Sequence, residues 1–401
     1  MALIVQKFGG SSVANAEKIF NVANRVTETY DAGNSVVVVV SAMGDTTDEL
    51  IEKAMEINPN GSKREMDMLL STGEQVTISL LSMAIEKLGY PVVSLTGWQI
   101  GMKTDSHYSN ARIHKVDAER INTELDKNRI VVVAGFQGIN KYDDITTLGR
   151  GGSDTTAVAI AASLHADLCE IYTDVDGVYT ADPRIVKNAQ KLETVSYDEM
   201  LELASLGANV LHNRSVEMAK KYHVNLAVKS SFNKVEGTYV KEVGKVEKMM
   251  VKGVSRDNDV ARIAVVGLED QPGIAFKIFS KLAKEKINVD IILQSIGRNG
   301  KKDISFTVNE GNLDKAISIL ESNKDTIAFE KIEHREDISK VSIVGAGMVN
   351  NPGVAATMFE ALYGAGINIH MISTSEIKVS VLVDQAEAEN AVRAIHDKFL
   401  G

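Results

Sequence analysis

The chain has 401 residues, 44% of them hydrophobic, a mean hydropathy of −0.05 and a formal charge of −10. A chain this long can bury more than one core, so two or three units are expected, and its acidity, with 5% aromatic residues, argues against nonspecific nucleic-acid binding and base-stacking platforms. One cysteine excludes an intrachain disulfide and the eight histidines lack zinc-ligand spacing; the apolar runs at 36–40 and 130–134 fall short of the ~20 residues that span a bilayer, and Lys7 breaks the apolar start before a signal peptide can form, so the cytoplasm is the expected location.

The first predicted strand, near 2–6, runs into Lys7-Phe8-Gly9-Gly10-Ser11-Ser12-Val13 ahead of a helical pattern. Glycines let backbone N–H groups approach an anion, a following helix offers N-terminal donors, and Lys7 adds a point charge, which together suggest a phosphate cradle. The alternative is an ordinary βα turn, since the pattern is neither Walker A nor GxGxxG. Further apolar strands near 36–41, 91–95, 130–135, 168–173 and 225–229 alternate with helical stretches, a rhythm that predicts a mostly parallel sheet between helices with its loops collected at one edge. Cys169 reads as a core residue of one of these strands rather than a nucleophile.

Between the fourth and fifth strands lies Leu148-Gly149-Arg150-Gly151-Gly152-Ser153-Asp154, followed by a small-residue helix. It reads as a second anion site: Gly-Gly presents N–H donors, Arg150 can grip a carboxylate with two parallel bonds, and Asp154 falls in the first helical turn, where a plain helix cap is the alternative. After the fifth strand comes Tyr172-Thr173-Asp174-Val175-Asp176-Gly177-Val178-Tyr179-Thr180-Ala181-Asp182-Pro183-Arg184. There Tyr179 could cover a base or sugar, Arg184 could reach a polyphosphate and the aspartates could hold Mg²⁺. It lacks the ligand ladder of a calcium loop.

With Val40-Ser41-Ala42-Met43-Gly44-Asp45-Thr46-Thr47 and Ser71-Thr72-Gly73-Glu74, these motifs stand in the order found in the aspartate kinases of the amino acid kinase family, which the chain strongly resembles. The resemblance implies transfer of the γ-phosphoryl of MgATP to the side-chain carboxylate of L-aspartate. It puts Lys7, Gly9, Gly10 and Ser11 on the ATP phosphates, with Thr173, Asp174, Tyr179, Asp182 and Arg184 around the nucleotide. Ser41, Thr47, Glu74, Arg150, Gly151, Gly152, Ser153 and Asp154 fall to the amino-acid substrate, and Lys7 with Asp154 to catalysis. The implied fold is a three-layer α/β/α sandwich with a mostly parallel sheet. Glu74 can neutralise a free α-ammonium, and an N-acylated substrate would strand it; the alternative for Glu74 is a carboxylate at a helix start. A substrate carboxylate is already ionised at neutral pH, so positioning and charge neutralisation carry the reaction without a general base. One departure is Asn209 in Gly207-Ala208-Asn209-Val210-Leu211-His212-Asn213, where the family commonly has lysine.

Residues 233–248, rich in Lys, Glu and Gly, read as a solvated connection out of a 1–232 catalytic domain. Beyond it the sequence repeats itself at an offset of 80 residues: Gln271-Pro272-Gly273-Ile274-Ala275 falls on Asn351-Pro352-Gly353-Val354-Ala355, and Ile287-Asn288 on Ile367-Asn368. Each copy reads strand, Pro-Gly, helix, strand, strand, helix, and resembles the ferredoxin-like α+β ACT domain. Copy one (259–335) ends in a strand expected at 327–332. Copy two (339–401) lacks its last strand, and 249–258 is predicted to supply it. Lys301 and Lys302 read as a solvated turn. ACT pairs imply a homo-oligomer and feedback by lysine, threonine or both, with Asp270, Asn288, Gln294 and Asn368 as effector contacts; turn capping is the alternative for these four. The rival readings are a noncatalytic amino acid sensor and a kinase of another small carboxylate such as glutamate.

Overall fold

A computed structural model describes residues 1–204, 210–242, 250–295, 297, 300–348 and 351–401. The chain forms two compact units: Met1–Tyr179 with Gln190–Val246, and Thr180–Ala189 with Glu247–Gly401.

In the first unit the valine-rich segments dictate the sheet. Val36 to Val40 are all fully buried; a run of β-branched residues apolar on both faces suits a parallel strand covered on both sides. The sheet has eight strands in the order Thr194–Val195, Thr238–Val240, Leu226–Ser230, Leu168–Thr173, Leu3–Phe8, Ser35–Val40, Ile130–Ala134 and Val92–Leu95. Every pairing is parallel except that of Leu226–Ser230 with Thr238–Val240. Val36, Val38, Val40, Ile130 and Val132 pack against Ile19, Val22, Ala23 and Val26 of the helix Ala16–Asp31 and Ile78, Leu81 and Ile85 of the helix Lys63–Lys87. The 3–1–3 spacing of the first group is the apolar stripe of an amphipathic helix. Val37, Val39, Val131 and Val133 point the other way and are equally buried, and the helix Gly152–Leu164 packs on the sheet there. Lys63–Lys87 is long and apolar enough to cross a membrane, yet 56% of its most apolar window is buried within the protein.

The alternating rhythm of the sequence gave no hint of a second, small sheet in this unit, formed by Ile113–Lys115, Lys103–Thr104, Gln137–Ile139 and Ile145–Thr147. Strands of two or three residues leave no periodicity to read. The solvated connection expected over 233–248 is corrected as well, because Thr238–Val240 joins the main sheet. Thr238 is fully buried and its hydroxyl donates to the carbonyl of Leu192 at 2.6 Å while accepting from Val178 N at 2.8 Å. Residues 243–248 of that stretch lie outside the described residues.

The second unit holds two four-stranded antiparallel sheets of the same plan. One runs Ile292–Gln294, Lys301–Val308, Ala261–Glu269, Lys331–Arg335; the other runs Met371–Thr374, Lys378–Asp384, Ile338–Val344, Gly253–Asp257. Gly253–Asp257, which precedes the first repeat in sequence, thus stands in the second where Lys331–Arg335 stands in the first. The strand expected at 327–332 begins later: Lys324–Ile327 forms a helical turn, and Ile327 and Phe329 are spent filling the first repeat's core. Ala181, Ile185 and Val186 belong to the core of the second repeat with Val254, Val341, Met358 and Ile395. Ten residues assigned by sequence to the catalytic domain are therefore built into the other unit. Lys301 and Lys302 open a strand instead of forming a solvated turn, and Lys302 Nζ lies 2.9 Å from Asp270 Oδ1.

Candidate active site

Because Leu3–Phe8, Ser35–Val40 and Ile130–Ala134 are parallel, their carboxyl ends share one edge, and an open pocket of about 270 Å³ lies among the loops that follow. Lys7, Gly9 and Gly10 form one wall. Lys7 Nζ lies 2.7 Å from Asp154 Oδ1, with both side chains largely buried. The helical pattern expected beyond the serines is the helix that starts at Ala16, where the Asn15 side chain accepts from Lys18 N; before it Gly10–Ser12 makes one 3₁₀ turn. The Asn15 cap takes up a donor of the helix start, so the cradle is the glycine loop itself. Gly10 is required by space: a Cβ there would stand 2.7 Å from the carbonyl oxygen of Ala42. The Ser12 hydroxyl bonds that of Ser231 at 2.6 Å, and Ser231 Oγ donates to the carbonyl of Thr173 at 2.8 Å, tying the loop to the end of the neighbouring strand.

The opposite wall is Gly149, Arg150, Gly151, Gly152, Ser153 and Asp154. The helix Gly152–Leu164 has Gly151 as its cap, in the left-handed region and with no side-chain bond to the first turn, so the terminus is left open to an anion. A Cβ on Gly151 would stand 2.3 Å from the His212 ring. Ser41 Oγ donates to Ser153 Oγ at 2.9 Å, bringing two substrate candidates together. Burial pushes the His212 imidazole below its ordinary pKa, against the opposing charge of Asp154.

Ser41, Thr47 and Glu74 complete the sequence-derived lining. Glu74 is not at a helix start: it sits midway along Lys63–Lys87 and is 2% exposed. Its Oε1 accepts from Ala42 N at 3.0 Å, while Oε2 is buried with no hydrogen-bond partner among the described residues. Burial pushes the carboxyl up to about 8. A buried acid with one unanswered oxygen in a pocket asks for a cationic ligand group.

The remaining sequence candidates lie elsewhere. Ser11 is exposed, and its carbonyl accepts from Lys18 Nζ. Thr173 Oγ1 donates to Asp174 Oδ1 at 3.0 Å, and the Tyr179 hydroxyl to Asp176 Oδ1 at 2.9 Å. Asp182 and Arg184 are in the second unit, joined to each other by a bidentate pair, Arg184 Nε to Oδ1 and Nη2 to Oδ2. Asn288, Gln294 and Asn368 are exposed there, and Asp270 holds Lys302. Asn209 lies outside the described residues. Sequence reasoning passed over Phe136 and Gly149, which line the pocket, and Ser231. The run Ala134-Gly135-Phe136-Gln137-Gly138 after a buried strand was the available signal for Phe136.

The model of the amino acid kinase family matches residues 2–230, and that of the ACT domain matches 263–323 and 341–399. The chain is 54% identical to aspartokinase 2 of Bacillus subtilis (strain 168) over 400 residues, covering 100% of this chain and 98% of that one. It is 53% identical to the aspartokinase of Bacillus sp. (strain MGA3), covering 100% and 97%. The chain belongs to the aspartokinases of the amino acid kinase family. Among solved structures, the aspartate kinase of Clostridium acetobutylicum, an allosteric enzyme, matches at 26% identity with a TM-score of 0.81, covering 99% of this chain and 100% of that one. The aspartokinases are phosphotransferases with a carboxyl group as acceptor, and the pocket is lined on one side by Lys7, Gly9 and Gly10 and on the other by the loop that carries Arg150.

Proposed function

We propose that the chain transfers the γ-phosphoryl of MgATP to the side-chain carboxylate of L-aspartate, giving 4-phospho-L-aspartate, the first step towards lysine, threonine and methionine. The observation that carries the substrate reading is the buried, unpartnered Oε2 of Glu74 in the same pocket as Arg150. A free α-amino acid brings an ammonium for Glu74 and a carboxylate for the Arg150 fork. The second carboxylate is the nucleophile, ionised without help at neutral pH. Lys7 and the Gly9–Gly10 amides meet the charge that spreads over the transferring group, and Asp154 orients Lys7 through their 2.7 Å contact. Thr173, Asp174 and Tyr179 are read as the nucleoside end. Mg²⁺ would be held by phosphate oxygens, water and one or two carboxylates. Bound there, the ion would neutralise phosphate charge. Asp182 and Arg184 already serve each other, and their part in nucleotide binding rests on the family pattern alone.

Lysine, threonine or both are read as feedback effectors of the ACT repeats, at Asp270, Asn288, Gln294 and Asn368. Ile292, Leu293 and Ile372, exposed on outermost strands, support a homo-oligomer formed through these repeats. The single, buried Cys169 is in keeping with a cytoplasmic enzyme. Trapping the acyl phosphate with hydroxylamine tests the whole reading. Hydroxamate should form with aspartate and ATP, not with glutamate, and fall when lysine or threonine is added. Lys7→Ala should lower kcat by about 10² or more; a change in KM alone would remove Lys7 from the reaction.

A further inference from the structure

The pocket's amino-acid half depends on where Arg150 is held, and Arg150 stands on a loop between glycines. The root of that loop is Thr147-Leu148, the end of a three-residue strand in the small sheet. Asp67 grips it. This carboxylate is fully buried and accepts from three donors: Ser109 N, shared between its two oxygens at 3.0 and 2.9 Å, Thr147 N at 2.9 Å and the Thr147 hydroxyl at 2.8 Å. Ser109 is a non-glycine residue in the left-handed region, at φ 66°, a conformation that persists where surrounding bonds fix it. From the other side Arg214 takes the carbonyls: Nη1 donates to Leu148 O at 2.8 Å and Nη2 to Ala111 O at 2.5 Å. Ala111 N in turn donates to Thr147 O at 2.9 Å, closing the knot.

We infer that Asp67, counter-gripped by Arg214, is a positioning residue for substrate: it fixes the Arg150 loop relative to Glu74. Asp67 and Glu74 stand two turns apart on the helix Lys63–Lys87, so they share a face of one rigid rod. The rod therefore carries the group that receives the ammonium and, through Asp67, the loop that receives the carboxylate. Their separation is set by the helix rather than by a flexible loop. Charge explains why an aspartate serves: its two oxygens accept from three donors, with the Ser109 N–H shared between them, whereas an asparagine offers one acceptor oxygen and in either orientation turns its NH₂ toward the Ser109 N–H. The Lys7 loop takes no bond from Asp67, so the effect should be confined to the amino-acid side.

This inference rests on the reading of Arg150 and Glu74 as the amino-acid clasp, and the test separates the two. In the full chain, Asp67→Asn should raise KM for aspartate about tenfold or more with KM for ATP within about twofold. Amide hydrogen exchange over 146–152 should speed up while that over 8–13 stays unchanged. Thr147→Val should shift aspartate KM in the same direction, and Thr147→Ser, which restores the hydroxyl, should return it. Parallel rises in both KM values, unchanged exchange over 146–152, or equal behaviour of the two Thr147 variants would overturn the clamp. The Thr147 pair decides the matter if Asp67→Asn does not fold. A native chain that makes no aspartyl hydroxamate would defeat the function reading instead, and exchange would still report on the clamp.

Discussion

Glu74 is a carboxyl whose titration is governed by its burial. One N–H bond from Ala42 favours its charged form, but burial outweighs it and raises the pKa to about 8. An unfolded chain releases that proton near the ordinary ~4.3. Between that range and about 8 the folded chain therefore holds a proton that the unfolded chain has lost, so stability should fall as pH rises through this window. Denaturant unfolding from pH 5 to 8 should show this slope, and Glu74→Gln should remove its share. A substrate ammonium reverses the preference, because it stabilises the carboxylate. Aspartate binding near pH 7 should then release up to about one proton, with affinity weakening as pH falls below about 8. Calorimetry in buffers of different ionisation enthalpy measures this directly; no proton release would mean that Glu74 does not meet the ammonium. Residue types were legible in sequence here and the perturbation was not, since a motif such as Ser71-Thr72-Gly73-Glu74 carries no information on which oxygen is left without a partner.

Among the elements, the glycine loop shows how alike neighbours in sequence differ in space. A Cβ on Gly9 would meet only Lys7 Nζ, at 3.4 Å, whereas one on Gly10 would press on backbone oxygens of Ala42 and Gly44 at 2.7 and 3.0 Å. Gly10→Ala should cost about 1–3 kcal/mol of stability and weaken ATP binding, while Gly9→Ala should fold with a thermal midpoint near that of the native chain. Equal midpoints for the two would show that the loop can open around an added methyl. The six main strands could be read because each is a largely apolar run of four to six residues, β-branched almost throughout in Ser35–Val40 and Ile130–Ala134. The small sheet could not, although it carries the root of the Arg150 loop, because its strands are stabilised by partners distant in sequence, as in the bond between the hydroxyls of Thr104 and Thr146.

At the scale of the whole molecule, Thr180–Ala189 belongs to the unit built from the repeats. Ile185 and Val186 are buried in that core, Arg393 Nε donates to the carbonyl of Ile185 at 3.1 Å, and Val254 N donates to that of Thr180 at 2.7 Å. Val186→Asp should therefore destabilise the second unit by about 3 kcal/mol or more, since it buries an unpaired charge. Exchange should rise in the helix Ala388–Leu400 and not in the strand Ser35–Val40; the reverse pattern would tie the segment's stability to the first unit. The sequence by itself determined the parallel sheet, the tandem repeat and the residue types at the pocket, because hydrophobic periodicity, glycine pairs and an 80-residue self-similarity are local or translational signals. Only tertiary structure decided that Lys103–Thr104 pairs with Gln137–Ile139 in a small second sheet, that ten residues after Tyr179 fill another unit's core, and that Asp67 holds the Arg150 loop. Each of these joins residues far apart along the chain, and a hydrogen bond or a buried contact leaves no trace in the order of residues until the backbone brings both partners to the same place.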